Sequence, residues 1–266
     1  MSAPLATLRG LTVAYAGVAR PALDGIDLDI GGGESLAVIG ESGSGKSTLA
    51  LALAGLLPDD ATVAGLIDWP GLTRPPRPGC DIGFVFQDAG ASLNPVRRVG
   101  AQVAEVARAH LNLSRQAARG HALDLLRRVR LPDPYAAARA FPHQLSGGQR
   151  QRVAIAAAIA AGPALLIADE PTSALDTIVQ AEVVALLNEL VAEGGMTLVF
   201  ITHDIALASG FADRVGVLDQ GRLVETGPTE RVLAAPRDTC TRMLLGCHIG
   251  LDTPPLVGPG FGEAGS

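Results

Sequence analysis

The sequence predicts an α/β protein built on a mainly parallel sheet, with an antiparallel β region at its N-terminal end and a helical lobe inserted midway. Three observations support this class. Buried-looking apolar runs alternate with helical stretches after residue 35 and again after residue 164, an order that demands crossover connections and hence parallel pairing. Two early runs, LATLRGLTVAY (5–15) and ALDGIDLDI (22–30), instead alternate with period two and are punctuated by Gly and Asp, as hairpin strands are. From about 96 to 161 the hydrophobic period becomes helical.

In chain order, the two hairpin-like strands are followed by GGGE and a buried-looking strand, SLAVIG (35–40), and then by a helix beginning at Lys46. TVAGLIDW (62–69) and DIGFVFQ (81–87) read as strands, joined by the Pro-rich stretch PGLTRPPRPGC, which is expected to be mobile. Helical periodicity runs through VRRVGAQVAEVARAHL, through SRQAARGHALDLLRRVR with Ser114 as its cap, and through QRQRVAIAAAIAA. Residues 88 to about 155 are therefore read as a helical lobe. ALLIAD (164–169) is a strand, 177–193 a helix, TLVFIT (197–202) a strand, and a short helix starts from Asp204. RVGVLDQGRLVETG is a hairpin turning at Asp219-Gln220-Gly221. Residues 1–251 are read as one lobed domain, and 252–266, rich in Pro and Gly, as a disordered tail.

Bulk properties narrow the function classes. The net charge of -6 argues against a partner dominated by a nucleic-acid backbone, so any anion must be met by a local device. Three cysteines, Cys80, Cys240 and Cys247, are too few for a disulfide framework, and a reduced cytoplasmic setting is expected. Cys240, Cys247 and His248 could be a metal fragment or simply part-buried thiols beside a histidine. Mean hydropathy is +0.30, but Gly162-Pro163 splits the longest apolar run into pieces too short to span a bilayer. MSAPLATLRG lacks the basic start and apolar core of a secretory signal, so the chain is expected to reach a membrane only through partners.

The densest chemical signal is Gly40-Glu41-Ser42-Gly43-Ser44-Gly45-Lys46-Ser47-Thr48, which fits GxxxxGK[ST] between a strand and a helix. Glycines let backbone N–H groups converge on phosphate oxygens, and the helix N-terminus adds partial positive charge. Lys46 is the one lysine among 21 basic residues, a compact ammonium where a guanidinium would be too broad. It would meet the β- and γ-phosphates, and Ser47 would hold Mg2+. ALLIADEP then ends an apolar strand in Asp169, suited to Mg2+ through water, and Glu170, suited to polarising an attacking water. LSGGQ opens a helix with Ser146 at the cap, so Gly147 and Gly148 leave N–H groups bare. One nucleotide has no evident need of two such helix ends, which points to a nucleotide held by another chain.

With these motifs in order, residues 5 to about 245 resemble the nucleotide-binding subunit of an ATP-binding cassette (ABC) transporter. The phosphate loop, Gln87 after FVF, LSGGQ at 145–149, ADE at 168–170, SALD at 173–176 and His203 in ITHD carry the likeness. It implies a RecA-like P-loop core, ATP and Mg2+ as cofactors, and a dimer of identical or paralogous cassettes with nucleotide clamped between phosphate loop and the partner's Ser146–Gln149. By the same resemblance Gln87 reaches Mg2+ and the membrane subunits, His203 contacts the γ-phosphate, Asp176 lies at the dimer seam, and Tyr15 stacks on adenine. The implied partners are two transmembrane permease subunits and, indirectly, an extracytoplasmic solute-binding protein, with the chain peripheral at the cytoplasmic face of the membrane.

QDAGASLNPVRRVG (87–100) and APRDTCTRMLL (235–245) are similar to segments of the peptide and nickel importer group, although Ala89 replaces a common proline and the usual His-Pro-Tyr is missing. The absence of a longer cysteine-bearing tail leans the reading towards a nickel-type or other small-solute member. Ser92-Leu93-Asn94-Pro95 and the helix after it are expected to line a groove for a permease helix. The alternatives are a soluble, non-transport cassette ATPase, disfavoured by the lack of a second cassette, coiled-coil insertion or basic patch, and an exporter cassette, disfavoured by the SLNP stretch.

Overall fold

The computed structural model describes residues 4–173 and 175–247; for Cys247 only the backbone is described. The elements in order are β1 (Pro4–Ala14), β2 (Leu23–Gly31), β3 (Ser35–Ile39), α1 (Lys46–Ala54), β4 (Thr62–Asp68), β5 (Ile82–Val85), α2 (Ala89–Ser92) and α3 (Val99–Leu111). They continue with α4 (Arg115–Arg128), α5 (Pro134–Arg139), a 3-10 turn at Pro142–Gln144, α6 (Gly147–Ala158), β6 (Leu165–Asp169) and α7 (Thr177–Gly194). The chain closes with β7 (Thr197–Thr202), α8 (Ile205–Ser209), β8 (Arg214–Asp219), β9 (Arg222–Pro228), α9 (Thr229–Ala234) and α10 (Thr239–Cys247). The 252–266 tail lies outside the described residues.

The chain divides into two units, one of residues 1–53, 57–71 and 199–266, the other of 54–56 and 72–198, with the boundary falling inside β7. In the first unit β1 pairs antiparallel with β2 on one side and β4 on the other, as the period-two alternation implied. A second layer there has the order β7-β3-β8-β9, with β3 and β8 parallel and β9 returning antiparallel. Every residue of β3 is buried, and Ala37 and Ile39 pack with Ile205, Val215, Val217 and Leu245. That packing fixes where β3 ends, and so where the glycine loop begins.

In the second unit β5 and β6 pair in parallel, Ile82 opposite Leu165 through Val85 opposite Ala168. β6 is wholly buried, and α7 buries Val183, Leu186, Leu187 and Leu190 on one stripe. Ser114 caps α4 through the Ala117 N–H at 3.2 Å, as the sequence indicated.

Three expectations are corrected. β5 stops at Val85, leaving Phe86 and Gln87 exposed beyond it, and α6 runs 147–158 rather than 149–161. The helix ends early because the chain turns into Gly162, at φ 68°, ahead of Pro163. The Pro-rich stretch is not a free excursion. Asp81 accepts two bonds from the Arg74 guanidinium, at 2.6 and 2.9 Å, and one from the Arg77 N–H at 2.8 Å. The Arg74 bond leads in holding the Asp81 carboxyl below its ordinary value, against the opposing effect of burial.

Candidate functional site

In the first unit, β3 delivers the chain into residues 40–45 and α1 receives it at Lys46. Two glycines there have physical reasons to be glycine. A Cβ on Gly40 would stand 2.1 Å from the Leu218 carbonyl oxygen, and one on Gly45, at φ 104°, would stand 2.4 Å from that of Ala22. The loop is further tied by the Gly221 N–H donating to Ser44 O at 2.9 Å and the Ser44 N–H to Glu41 O at 3.2 Å. Lys46 is 5% exposed, and its Nζ donates to Gly40 O at 2.8 Å and Glu41 O at 2.7 Å. An ammonium so placed sits inside the curl of the loop, as the sole lysine was expected to. Ser44 Oγ is buried with no hydrogen-bond partner among the described residues, and an orphaned hydroxyl in a glycine cradle fits an oxyanion.

Around this cradle, Glu41, Ser42, Gly43 and Ser47 are exposed, and Thr48 is half-buried. The Tyr15 hydroxyl donates to Thr48 Oγ1 at 3.3 Å, which binds the half-buried ring to the first turn of α1. His203 is exposed just past β7, ahead of Asp204, whose carboxylate caps α8 through the Leu207 N–H at 2.9 Å.

In the second unit, β6 ends at Asp169, 7% exposed, and the next residue changes direction sharply. Glu170 has φ 44°, left-handed backbone uncommon for a residue with a Cβ. The Ser173 N–H and hydroxyl, at 3.3 and 3.2 Å from Glu170 O, hold that turn. Gln87 Nε2 donates to Glu170 Oε2 at 3.2 Å, so two residues 83 apart in sequence meet. Asp176 caps α7 through the Val179 N–H at 3.0 Å.

Ser146 caps α6 in a closed capping box: Ser146 Oγ accepts from the Gln149 N–H at 3.3 Å, and Gln149 Oε1 accepts from the Ser146 N–H at 3.0 Å. Gln149 is thus occupied with its own helix, and the first-turn N–H groups of Gly147 and Gly148 are those that precede any intrahelical partner. Gly148 also has a packing reason, since a Cβ there would lie 2.6 Å from Val179 Cγ1. A concavity of about 480 Å³ opens beside Ser146, Gly148 and Gln149, walled by Arg130, Arg152 and Glu182.

Sequence reasoning missed Arg152. Its Nη1 donates to the carbonyls of Val129 (3.3 Å) and Arg130 (3.2 Å), and its Nη2 to Glu182 Oε2 (2.5 Å), so it staples α6 to the end of α4 and to α7. The available signal was a second arginine, after Arg150, entering the Ala-rich part of the helix. Ser92 and Leu93 line an apolar groove of about 350 Å³, as expected, with Leu93 only 4% exposed, whereas Asn94 and Pro95 are not part of its lining. Phe84, Phe86, Val106 and Ala154 line the same groove.

No group of three or more His, Cys, Asp or Glu among the described residues could hold a metal ion. Burial, with smaller contributions from Asp219, Asp238 and Glu41, pushes the Cys240 thiol up, which keeps it protonated; His248 and the Cys247 side chain lie outside the described residues. No helix of the described residues is long and apolar enough to cross a membrane.

The family model for ABC transporters matches residues 23–173, which span the glycine loop, Gln87, LSGGQ and Asp169-Glu170. The chain belongs to the ABC transporter family. It is 44% identical over 254 residues to the peptidoglycan transport ATP-binding protein YejF of Agrobacterium fabrum, covering 91% of this chain and 46% of that protein. It is also 44% identical over 252 residues to the glutathione import ATP-binding protein GsiA of Escherichia coli, covering 85% of this chain and 40% of the relative. The chain therefore spans less than half the length of these relatives. A dimeric, post-hydrolysis structure of the ATP-binding cassette MJ0796 bound to ADP and Pi superposes with a TM-score of 0.74 at 33% identity, covering 84% of this chain and 98% of that one. CbiO1 from Clostridium perfringens, part of the transporter complex cbiONQ, superposes at 0.73 and 30% identity over 88% of this chain and 92% of its own. The fold is that of an ABC cassette, with its N-terminal antiparallel sheet, as the sequence implied.

Proposed function

We propose that the chain is the ATP-hydrolysing subunit of an importer, a cassette over residues 1–251 with a helical lobe at about 88–155. Two cassettes, identical or paralogous, hold ATP between the phosphate loop of one and Ser146, Gly147 and Gly148 of the other. Residues 40–48 take the phosphates and Tyr15 the base. Mg2+ suits the oxygen donors Ser47, Asp169 and Gln87, and when bound it neutralises phosphate charge. Glu170 polarises the attacking water, His203 contacts the γ-phosphate, and Asp176 lies at the seam between cassettes.

The observation that carries this reading is the bond from Gln87 to Glu170. It joins the proposed base to the start of the segment that lines the apolar groove, so the state of the reacting site bears on the groove's wall. That groove suits the apolar face of a short permease helix. The chain then sits at the cytoplasmic face of the membrane through two permeases, which receive solute from a binding protein outside. The relatives named for peptidoglycan and glutathione favour a peptide-like solute over nickel.

The test is ATP turnover by the purified chain and by Glu170→Gln. The variant should still bind ATP and accumulate a closed dimer while turnover falls by about a hundredfold or more, the usual worth of a general base. A variant that loses ATP binding, or keeps wild-type turnover, refutes the role given to Glu170.

A further inference from the structure

Gln151 lies five residues past the LSGGQ serine and is 3% exposed, yet its Nε2 has no hydrogen-bond partner among the described residues. Burying an amide donor without an acceptor is unfavourable, and native chains retain such groups rarely, so this one calls for a reason. Its neighbours on α6 are anchored. Arg150 Nη1 donates back to Leu145 O at 2.8 Å, and Arg152 holds α4 and α7.

Two close approaches locate what passes over this part of α6. A Cβ on Gly83 would lie 2.3 Å from Ala158 O, near the end of the helix, and one on Gly90 would lie 3.7 Å from Arg150 Nε, near its start. The chain from 83 to 90 therefore passes along α6 between its last turn and the side chain of Arg150, the residue before Gln151. In this arrangement Gln87 is engaged by Glu170, and Asp88 by the N–H groups of Gly90 and Ala91 at 2.7 and 3.0 Å.

We propose that Gln151 is a positioning residue that links the Gln87 segment to the LSGGQ helix: its buried amide donor is open here and takes an acceptor from residues 86–88 once Gln87 leaves Glu170. The closed arrangement then gains a bond that the present one lacks, and the movement of Gln87 is transmitted to the helix that presents Ser146 and Gly147. This rests on the ATPase reading above, and the two fail in distinguishable ways.

The experiment replaces the donor with an apolar chain of similar length, Gln151→Met, and repeats it with Gln151→Leu. Because Gln151 Nε2 makes no bond in the arrangement described, both variants should melt at or above the wild-type temperature and bind ATP with unchanged affinity. The kcat for ATP should fall about three- to tenfold at constant KM, the range expected for one hydrogen bond formed only on closure. A lowered melting temperature in both variants would mean that the amide is already satisfied, for instance by a buried water, and overturns the proposal. Normal or raised melting with undiminished kcat overturns it equally. If the wild-type chain itself turns over no ATP, the reading of the site as an ATPase falls, and this inference falls with it.

Discussion

Gly148 has two competing explanations, close packing and a bare N–H for a nucleotide, and one pair of substitutions separates them. In Gly148→Ala the new methyl would lie 2.6 Å from Val179 Cγ1, about 1 Å inside normal carbon contact. Overpacking of this kind costs about 1–3 kcal/mol. Alanine returns at most about 1 kcal/mol of helix propensity, and less in a first turn, so packing wins by roughly 1 kcal/mol. For a chain of this size that lowers the melting temperature by about 2–4 °C. Val179→Ala removes the obstructing methyl, and in that background Gly148→Ala should be neutral or slightly stabilising, a coupling of about 1–2 kcal/mol. The assay is thermal unfolding of the four proteins of the cycle, with ATP turnover measured in parallel. The substitution keeps the N–H, so turnover in the double variant should recover with stability unless a nucleotide must also pass through the space the new methyl fills. Equal destabilisation by Gly148→Ala beside Val179 and beside Ala at that position would refute the packing argument.

Four further expectations concern single positions. Lys46→Arg should lose most ATP turnover despite keeping its charge, because the guanidinium cannot fit the space where Nζ meets two carbonyls at 2.8 and 2.7 Å; wild-type turnover would sink the cradle reading. Leu93→Glu, with its carboxylate at a site only 4% exposed, should destabilise the protein by about 3 kcal/mol or more. Phe86→Ser, at 42% exposure, should instead melt within about 2 kcal/mol of wild type while losing association with permeases, as co-purification would report. Burial pushes Glu225 up, but the Arg237 N–H, the Thr241 side chain, the Asp238 N–H and the Arg237 charge together outweigh it, so its carboxyl is held below its ordinary value and ties the approach to α10. A lowered folded value means this stabilisation is complete above the unfolded value of about 4.5 and is lost as pH falls through the folded one. The stability difference between wild type and Glu225→Gln should thus be constant above about pH 6 and shrink below about pH 4.5.

The parts of the fold legible in the sequence are those where one physical signal runs for many residues. The alternation in β1 and the stripes of α3 and α7 identified their elements to within a few residues. Short elements rest on a single cap and carry no period. Asp133 accepts from the Ala136 N–H at 2.9 Å with Pro134 behind it, starting α5, and Asp88 does the same for α2; both signals are present in the sequence, but neither stretch is long enough to show a helical face. α9 and α10 escaped for the same reason. Tertiary ties were illegible altogether: Arg74 meeting Asp81 turns a Pro-rich stretch into a fastened loop, and Leu93, in a stretch that reads as a loop, is only 4% exposed. The site was more legible than the fold around it, because a phosphate cradle is local chemistry written in consecutive residues, whereas the meeting of Gln87 with Glu170 depends on β5 lying beside β6.

Gln149 is where residue type and geometry pull apart. Its position in LSGGQ makes it a nucleotide contact by resemblance, yet its side chain accepts the Ser146 N–H and its own N–H is taken by Ser146 Oγ. Reaching a phosphate would open the box at a cost of about 0.5–1.5 kcal/mol for each bond. A carboxamide could recover that only through a bond to a charged oxygen, worth about 1.5–3 kcal/mol. The N–H groups of Gly147 and Gly148 incur no such cost, and the helix N-terminus already directs its partial positive charge there. The lower-energy division of labour has Gln149 keeping the cap shut, so that the two glycine amides stay fixed in the direction a neighbour's phosphate would approach. On that division the glutamine sets the geometry of the anion site without being one of its ligands.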